Sequence, residues 1–569
     1  MNRPEYALFL GIAMTFAISD DLFGQRLSPS AGEAGRSVVI APHGMVCCAH
    51  PLAAQIGLDV LKNGGNAVDA AIAVNAALGL MEPMSCGIGG DLFAIVWDDK
   101  TQTLYGLNAS GRSPYAATRE LFAKRELAEI PETGPLSWSV PGCVDGWDEL
   151  RKKFGTRSFA QLLLPTIRYA DDGVPVPEII AGYFLAAEKK LASDDGSSKV
   201  FLKDGHAYKV GEVFKNPALA ATYREIAKHG RDAFYKGTIA EKLAAFSAKV
   251  GGLLSARDLA EHTSTWVTPV RVNYRGYEVC ELPPNGQGIA ALQMLNILEG
   301  YDLKQMGPKS PDYWHLFIEA KRLAFADRAK YYTDPDFEKV PIAELVSKKY
   351  AAQRRKLIQM DKALGNIEAG DPKLGKADTT YLCVVDRNHN CVSLIQSNYF
   401  GFGSGNTPSD LGFAIQNRGT LFALDAKHAN RLEPHKRPFH TIIPAMVLKD
   451  GKPWLVFGVM GGDMQPQGHV EVLCNLIDFG MNVQQAGEAP RIEHRGSATP
   501  TGRAALGVGT VLAERGLPDE VIAELKKRGH YVERVRVNGG GYQAILIDPT
   551  TGMLHGGSEA RKDGCAVGY

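Results

Sequence analysis

The chain lacks an excess of either charge, because its 63 basic residues are balanced by 63 acidic ones. It also lacks a basic run of the kind that follows a phosphate backbone, so we expect no nucleic-acid partner. Its nine cysteines are an odd number without the spacing of a disulfide scaffold. His43, Cys47, Cys48 and His50 lie close together in the sequence. Structural zinc sites space their ligands differently, so no metal is expected there.

Long apolar runs are scarce as well. The N-terminal run Leu8–Ile18 is too short to span a bilayer, and no other segment qualifies, so no stable membrane anchor is expected. Arg3 before this run and small residues at its end are typical of a signal peptide over residues 1–19. This predicts a secreted or periplasmic protein, with a cytoplasmic protein as the alternative. Residues 20–37 are rich in Gly and Ser and are predicted to form a disordered leader.

The character of the chain changes near residue 378. Helical periodicity dominates from about residue 145 to 370, as in Pro311–Tyr331. After that point short alternating strands joined by tight turns dominate, such as 379–386, 391–397 and 441–448, which indicates antiparallel sheet. Sheets flanked by helices indicate a layered α+β fold. The charged stretch Lys362–Lys376, just before the change, is the kind of exposed connector that tolerates a chain break.

The most specific chemical pattern is residues 378–405, DTTYLCVVDRNHNCVSLIQSNYFGFGSG. If the chain is cut just before Thr379, the new α-amine lies beside the threonine hydroxyl. That amine has an unperturbed pKa of about 7.7–8.0, against about 10.4 for lysine, so it can be neutral at working pH. One residue then supplies the nucleophile and the general base, and no metal or organic cofactor is needed. The alternative is a β-branched residue that merely begins a strand.

Eight motifs, in order from about residue 38 to the end, resemble those of γ-glutamyltranspeptidases (glutathione hydrolases). They are GGNAVDAAIAVNAALGLMEP (64–83), CGIGGDLFA (86–94), EAKRLAFADR (319–328), DTTYLCVVD (378–386), FGSG (402–405), KRPFHTIIP (436–444), GVMGGD (458–463) and ARKDGCAVGY (560–569). The resemblance implies an α+β fold, the four-layer αββα sandwich of N-terminal-nucleophile hydrolases. It also implies a precursor that cleaves itself between Asp378 and Thr379. A large subunit, 38–378, and a small subunit, 379–569, would stay associated, and a homo-oligomer is compatible with this.

The resemblance also assigns roles around the nucleophile. Ser397 matches a position where the family commonly has a second threonine that contacts the nucleophile, and a hydroxyl is retained. Gly461 and Gly462 match the pair whose backbone N–H groups form the family's oxyanion hole. Glycine suits this task because it lets backbone donors approach developing negative charge closely.

The positions that recognise the substrate depart from the family. Arg112 lies two places beyond the family's carboxylate-binding arginine, and Tyr399 stands where transpeptidases usually have Asn. Leu421 falls where an Asp binds the substrate α-amine, while Arg418 nearby would repel an ammonium and favour an acid. The candidates for an acid-binding site are Arg112, Asn417, Arg418, His440 and Thr441, of which the last two replace a Ser-Ser pair.

These departures keep the nucleophile and the oxyanion hole while changing the groups that recognise free glutamate. We therefore expect a γ-glutamyltransferase or glutathione hydrolase-type enzyme that forms an acyl-enzyme on Thr379 and favours hydrolysis over transpeptidation. The first alternative is an acylase or amidohydrolase acting on another acid-bearing amide, because cephalosporin acylases and an oxamate amidohydrolase resemble the same family. The second is a catalytically inactive binding relative, which should have lost Thr379 or the glycine pair, and neither is lost.

Overall fold

Two seven-stranded antiparallel sheets form the middle of the molecule. The first contains, in spatial order, Val39–Ala41, Leu554–Ser558, Tyr542–Ile547, Lys452–Val459, Ala445–Lys449, Tyr277–Glu281 and Val270–Tyr274. The second contains Cys565–Gly568, Met45–Cys48, Ala377–Val385, Cys391–Phe400, Asp91–Asp98, Thr103–Ala109 and Thr265–Val267. The computed structural model describes residues 35–365, 377–536 and 539–569. The predicted signal peptide, most of the predicted leader and most of the charged connector lie outside these residues.

The sheets pack face to face through alternate residues of their strands. In Ala377–Val385, Tyr381 and Cys383 face the layer between the sheets, whereas Leu382 and Val384 face the helices outside. This alternation follows from the two-residue period of a strand, and both faces of the strand are apolar because both are covered.

Helices cover the outer face of each sheet. Those over the second sheet are Pro51–Lys62, Ala67–Met81, Cys143–Phe154, Phe159–Asp172, Glu178–Ala192, Asp195–Phe201, Pro217–His229 and Thr238–Lys249. Those over the first sheet are Gly288–Leu298, Pro311–Tyr331, Met464–Leu473 and Val483–Glu488, and the helix Asp519–Lys527 packs against Pro311–Tyr331. The layers therefore follow the order αββα, and the predicted α+β four-layer sandwich is confirmed. Within the described residues, no helix is both long and apolar enough to cross a membrane.

Strands from both predicted subunits are neighbours within one sheet. Ala377–Val385 and Cys391–Phe400 pair with each other and lie between Met45–Cys48 and Asp91–Asp98. The first two belong to the predicted small subunit, apart from Ala377 and Asp378, and the outer two belong to the predicted large subunit. The division of the chain at 378/379 stays a prediction, but this interleaving would hold two cleaved chains together.

Two strand limits differ from the sequence-based expectation. The strand expected over 379–386 begins at Ala377, so Thr379 lies inside it. The strand expected over 441–448 begins only at Ala445. Pro444 has no N–H for a ladder, and the Ile443 N–H donates to Gln465 Oε1 at 2.9 Å instead of to a neighbouring strand. Residues 440–444 are thereby free to contribute side chains to the site described next.

Candidate active site

Thr379 is buried at an irregular point of its strand. The pairing with the neighbouring strand shifts between Asp378, opposite Tyr399, and Thr380, opposite Gln396. A β-bulge of this kind redirects a side chain and is frequent beside active sites. The Thr379 hydroxyl donates to Ser397 Oγ at 3.3 Å, and Gln465 Nε2 lies 3.5 Å from Thr379 Oγ1. The sequence therefore places Thr379 correctly on a strand, but the bulge decides what its hydroxyl contacts.

The neighbouring threonine faces the other way. The Thr380 hydroxyl donates to Glu82 Oε2 at 2.7 Å, on the side of the sheet that the helices cover. Two adjacent threonines thus lie on opposite faces of one strand, as the strand period requires. Only Thr379 reaches the Ser397 hydroxyl.

Ser397 is held by the backbone that follows it. The Tyr399 N–H donates to Ser397 Oγ at 2.8 Å, while Tyr399 itself has a φ of 78°. This left-handed conformation is uncommon for a residue with a side chain and is frequent at functional sites. It directs the N–H towards the serine, so the Ser397 oxygen has a defined orientation beside Thr379. This arrangement is compatible with the orienting role predicted for Ser397.

Gly461 and Gly462 form a turn directly before the helix Met464–Leu473. Their φ angles are 109° and 58°, in the region that favours glycine. Their carbonyls accept from the Met464 and Gln465 N–H groups, whereas their own N–H groups meet no backbone acceptor among the described residues. Because Gln465 also reaches Thr379, the turn and Thr379 are neighbours. Backbone donors at a helix N-terminus suit developing negative charge, which fits the predicted oxyanion hole.

A buried arginine fixes this glycine turn, and sequence reasoning missed it. Arg328 donates to both oxygens of Asp463, at 2.7 and 3.1 Å, and to Gln287 Oε1 at 2.6 Å. Gln287 Nε2 in turn donates to the carbonyls of Gly462, at 2.9 Å, and Thr441, at 2.7 Å. Burial favours a raised Asp463 pKa, but the Arg328 guanidinium holds it below its usual value. Arg328 ends the motif EAKRLAFADR, which was the available signal.

Arg418 is buried beside Tyr399. Its Nη1 donates to Thr441 Oγ1 at 2.7 Å, and its guanidinium lies 4.5 Å from the centre of the Tyr399 ring. Its Nε and Nη2 have no hydrogen-bond partner among the described residues. Burial lowers the Arg418 pKa to about 10, so the group stays charged at neutral pH. A buried cation with two unused donors is suited to bind an anion.

His440 lies next to this arginine and contacts a buried carboxylate, Asp91. The distance from His440 Nε2 to Asp91 Oδ2 is 3.0 Å, and His440 Nδ1 accepts from the Ile442 N–H at 3.3 Å. Nδ1 therefore carries no proton, and Nε2 donates to Asp91. Burial, with the charge of Arg418, lowers the His440 pKa to about 4, so the ring is neutral. Asp91, in the motif CGIGGDLFA, is a second residue that sequence reasoning missed.

Two of the candidate acid-binding residues have other partners. Arg112 Nη1 donates to the Thr263 carbonyl at 3.2 Å, and Nη2 lies 3.9 Å from Asp336 Oδ2. The Asn417 amide accepts from the Phe400 N–H at 3.1 Å and donates to the Glu132 carbonyl at 2.7 Å. Asn417 thus ties a strand end to a loop. The structure joins Arg418, His440 and Thr441 in one contact network and directs Arg112 to a different set of groups.

A possible metal-ligand cluster lies elsewhere among the described residues. Ligand atoms of His315, Glu319 and His530 lie within 4.8 Å of one another. However, His315 and His530 are hydrogen-bonded at 2.8 Å, and Arg322 donates to Glu319 at 2.9 Å. An arginine paired with the only carboxylate of the cluster disfavours a cation, so we interpret these residues as a buried polar network.

Comparison with known proteins agrees with the geometry. The family model described as gamma-glutamyltranspeptidase matches residues 53–569. The chain is 39% identical to the glutathione hydrolase-like YwrD proenzyme of Bacillus subtilis, over 93% of this chain and 99% of that protein. It is 33% identical to the oxamate amidohydrolase proenzyme of Klebsiella pneumoniae, over 93% and 99% of the two chains.

A solved structure gives the same result for the whole fold. The crystal structure of cephalosporin acylase from Bacillus halodurans superposes with a TM-score of 0.87 at 42% identity, over 96% of this chain and 99% of that chain. The family match covers most of the sequence, and the similarity extends through both sheets and both helical layers. The chain therefore belongs to the γ-glutamyltranspeptidase family and is an enzyme of the γ-glutamyltransferase and glutathione hydrolase type.

Proposed function

We propose that this protein is a self-cleaving amidohydrolase that uses Thr379 as an N-terminal nucleophile and favours hydrolysis over transpeptidation. The observation that carries the proposal is the position of the Thr379 hydroxyl. It lies at a bulge, 3.3 Å from Ser397 Oγ, in reach of Gln465 from the helix that follows the Gly461–Gly462 turn. Nucleophile, orienting hydroxyl and backbone donors come together directly after the bond that would be cut.

The first reaction is cleavage of the chain itself. Thr379 Oγ attacks the carbonyl carbon of Asp378, and the Asp378–Thr379 C–N bond breaks as an ester forms on the threonine oxygen. The hydroxyl proton passes to the threonine nitrogen, which leaves as an amine. Water then hydrolyses this ester, which leaves a carboxylate at Asp378 and a free α-amine at Thr379. The products are a large subunit ending at 378 and a small subunit of 379–569.

The mature reaction uses the same oxygen. The neutral Thr379 amine takes the hydroxyl proton while Oγ attacks the substrate amide carbon, with Ser397 orienting the hydroxyl. The N–H groups of Gly461 and Gly462 stabilise the resulting oxyanion. The substrate C–N bond then breaks, the leaving amine takes the proton, and an acyl-enzyme remains. Attack by water releases the acid, and attack by an amine would give transpeptidation.

The acyl donor carries an acid group, as a γ-glutamyl amide such as glutathione does. Arg418 and Thr441 supply donors for that acid, and no cofactor takes part. Leu421 is buried where family members bind the α-amine of glutamate through an Asp. The similarity to a cephalosporin acylase favours, as a second candidate, hydrolysis of another acid-bearing amide.

The proposal includes where and in what form the protein acts. The interleaved strands hold the two cleaved chains together as one unit, and a homo-oligomer of such units is compatible with the fold. The N-terminal segment 1–19 directs export, so the mature protein is secreted or periplasmic. Fractionation of cells into periplasm and cytoplasm tests this, because removal of 1–19 should retain the protein in the cytoplasm.

The decisive experiment is the intact mass and N-terminal sequence of the purified protein. The wild type should give two fragments, the smaller of which starts at Thr379, whereas Thr379→Ala should stay whole. Thr380→Ser is the matched control, because it changes the adjacent threonine on the opposite face and should still be cut. A wild-type chain that remains whole after long incubation would refute self-cleavage and favour an inactive binding relative.

A further inference from the structure

The free donors of Arg418 lie on one edge of its guanidinium. Nη1 is used by Thr441 Oγ1, while Nε and Nη2 have no partner among the described residues. In arginine, the N–H bonds of Nε and Nη2 point in the same direction and match the two oxygens of a carboxylate. Thr441 and the Tyr399 ring fix the plane of the group. The side chain therefore presents a ready bidentate receptor for one carboxylate.

The acidic residues around this receptor have other tasks. Asp91 Oδ1 accepts from the N–H groups of Gly111, at 2.9 Å, and Gly142, at 3.2 Å, and from Gln416 Nε2, at 2.9 Å. Its Oδ2 accepts from His440. Both oxygens of Asp463 bind Arg328. An ammonium entering beside Arg418 would therefore meet a cation and a neutral histidine, with both of these carboxylates already paired.

A third acid, Glu132, is close enough for its charge to act on Tyr399, whose ring lies against Arg418. The Glu132 side chain is exposed. A carboxylate in water attracts an ammonium only weakly, because solvent screens the charge. Leu421, which is buried, adds an apolar wall and no acceptor. Recognition at this site is thus matched to one negative charge and not to the paired charges of a free amino acid.

We propose that the acyl donors of this enzyme are ω-carboxyacyl amides, that is, monoamides of dicarboxylic acids without an α-amine, whose carboxylate binds Arg418. The proposal rests on the proposed function and names its substrate class. In the reaction the amide C–N bond breaks, the acyl carbon bonds to Thr379 Oγ, and the leaving amine takes the hydroxyl proton. Water then releases the dicarboxylic acid.

Three anilides that differ by one group each test this on the cleaved enzyme. Glutaryl-p-nitroanilide has the carboxylate alone, γ-glutamyl-p-nitroanilide adds the α-ammonium, and butyryl-p-nitroanilide lacks both. We expect kcat/KM for the glutaryl compound to exceed that for the γ-glutamyl compound by about tenfold or more, because an ammonium without a partner must be desolvated. The butyryl compound should be slower still, by about a hundredfold relative to glutaryl.

Arginine variants identify the receptor. Arg418→Met should bring the ratio of kcat/KM for the glutaryl compound to kcat/KM for the butyryl compound close to one. Arg418→Lys should restore this ratio only in part, because lysine lacks the paired N–H donors of a guanidinium. Arg112→Met removes the other candidate arginine and should keep the ratio near that of the wild type. Release of the Thr379 N-terminus in each variant, read by mass spectrometry, shows that it has folded and cleaved itself.

The outcomes separate the two proposals. A γ-glutamyl rate above the glutaryl rate in a self-cleaved enzyme would overturn the inference and leave the proposed function standing. Loss of the ratio in Arg112→Met but not in Arg418→Met would also overturn it. A wild-type chain that neither cleaves itself nor hydrolyses any of the three anilides would overturn both.

Discussion

The two sides of the proposed active site use different chemical groups. The proposed reaction side, Thr379, Ser397 and the Gly461–Gly462 turn, uses small uncharged groups and backbone N–H donors. The proposed acid-binding side, centred on Arg418, uses buried charges and a neutral histidine, His440. Small groups on a bulged strand and a glycine turn are set by local backbone geometry, whereas buried charges depend on partners supplied by distant segments. We therefore expect substitutions on the two sides to have different effects on activity and stability.

The largest expected effect lies on the reaction side. Thr379→Ala removes the nucleophile, and because the chain then stays uncut it also lacks the free amine that serves as the base, so hydrolysis should fall by about 10,000-fold or more. Thr379→Ser keeps a hydroxyl and an N-terminal amine, so it should retain self-cleavage and measurable turnover. Steady-state kinetics on an acid-bearing anilide checks both variants. An alanine variant with wild-type kcat would show that another residue carries the chemistry.

The second-largest expected effect concerns Arg328. This buried charge supports the reaction side, so the difference between the two sides is not simply one of charge. Arg328→Met leaves Asp463 unpaired and loosens the glycine turn, so kcat should fall by about 100-fold with a smaller change in KM. The free energy of unfolding should fall by about 3–5 kcal/mol, as for a broken buried ion pair.

Arg354→Met is the matched control for this change. Arg354 donates to Asp327 at 2.8 Å and takes no part in the site. Its removal should lower stability and leave kcat close to the wild-type value. Equal losses of kcat in both variants would show that the turn is sensitive only to general destabilisation.

On the acid-binding side we expect an effect of pH on stability. Burial and Arg418 lower the His440 pKa from its ordinary value of 6.5 to about 4. Between these values the unfolded chain binds a proton and the folded chain does not, so the stability contributed by His440 is complete above pH 6.5 and is lost as the pH falls towards 4. The full contribution is about 3 kcal/mol.

Urea unfolding at pH 7.5 and pH 5 checks this prediction. His440→Asn should have a lower free energy of unfolding than the wild type at pH 7.5, and this difference between the two proteins should be smaller at pH 5. The other buried histidines are present in both proteins and affect both alike. His206→Asn changes an exposed histidine, so its difference in unfolding free energy from the wild type should be the same at both pH values. A gap that is the same at both pH values would contradict the assignment of a neutral His440.

The smallest expected effect is that of a substitution at Thr380, which distinguishes this residue from the adjacent Thr379. Thr380→Val removes the hydroxyl that donates to Glu82 at 2.7 Å, and the free energy of unfolding should fall by about 1–3 kcal/mol. Self-cleavage and kcat should persist, because Thr380 faces the helices. Denaturant unfolding with intact-mass analysis measures both properties, and failure to cleave would place Thr380 in the reaction.

Sequence reasoning was most successful where function follows from local chemistry. The fold, the family and the positions of Thr379 and the glycine pair on a strand and a turn could all be predicted, because periodicity and motif order carry that information. Strand limits at Ala377 and Ala445 could not, since a bulge and the Ile443–Gln465 hydrogen bond set them. Arg112 was predicted from its nearness in sequence to the family's carboxylate-binding arginine, and its guanidinium contacts Thr263 and Asp336 and not Arg418 or Thr441.

The sequence by itself determined the chemical groups of this protein: a threonine that can hold its own base, glycines that can expose backbone donors, and the order of strands and helices that fold around them. Only the tertiary structure decided which charges are paired. Asp91 meets His440 across 349 residues of chain, and Arg328 meets Asp463 across 135. With these pairs made, Arg418 Nε and Nη2 have no hydrogen-bond partner among the described residues. Hydrogen bonds between distant segments form only when the layers pack, so no local pattern could reveal them.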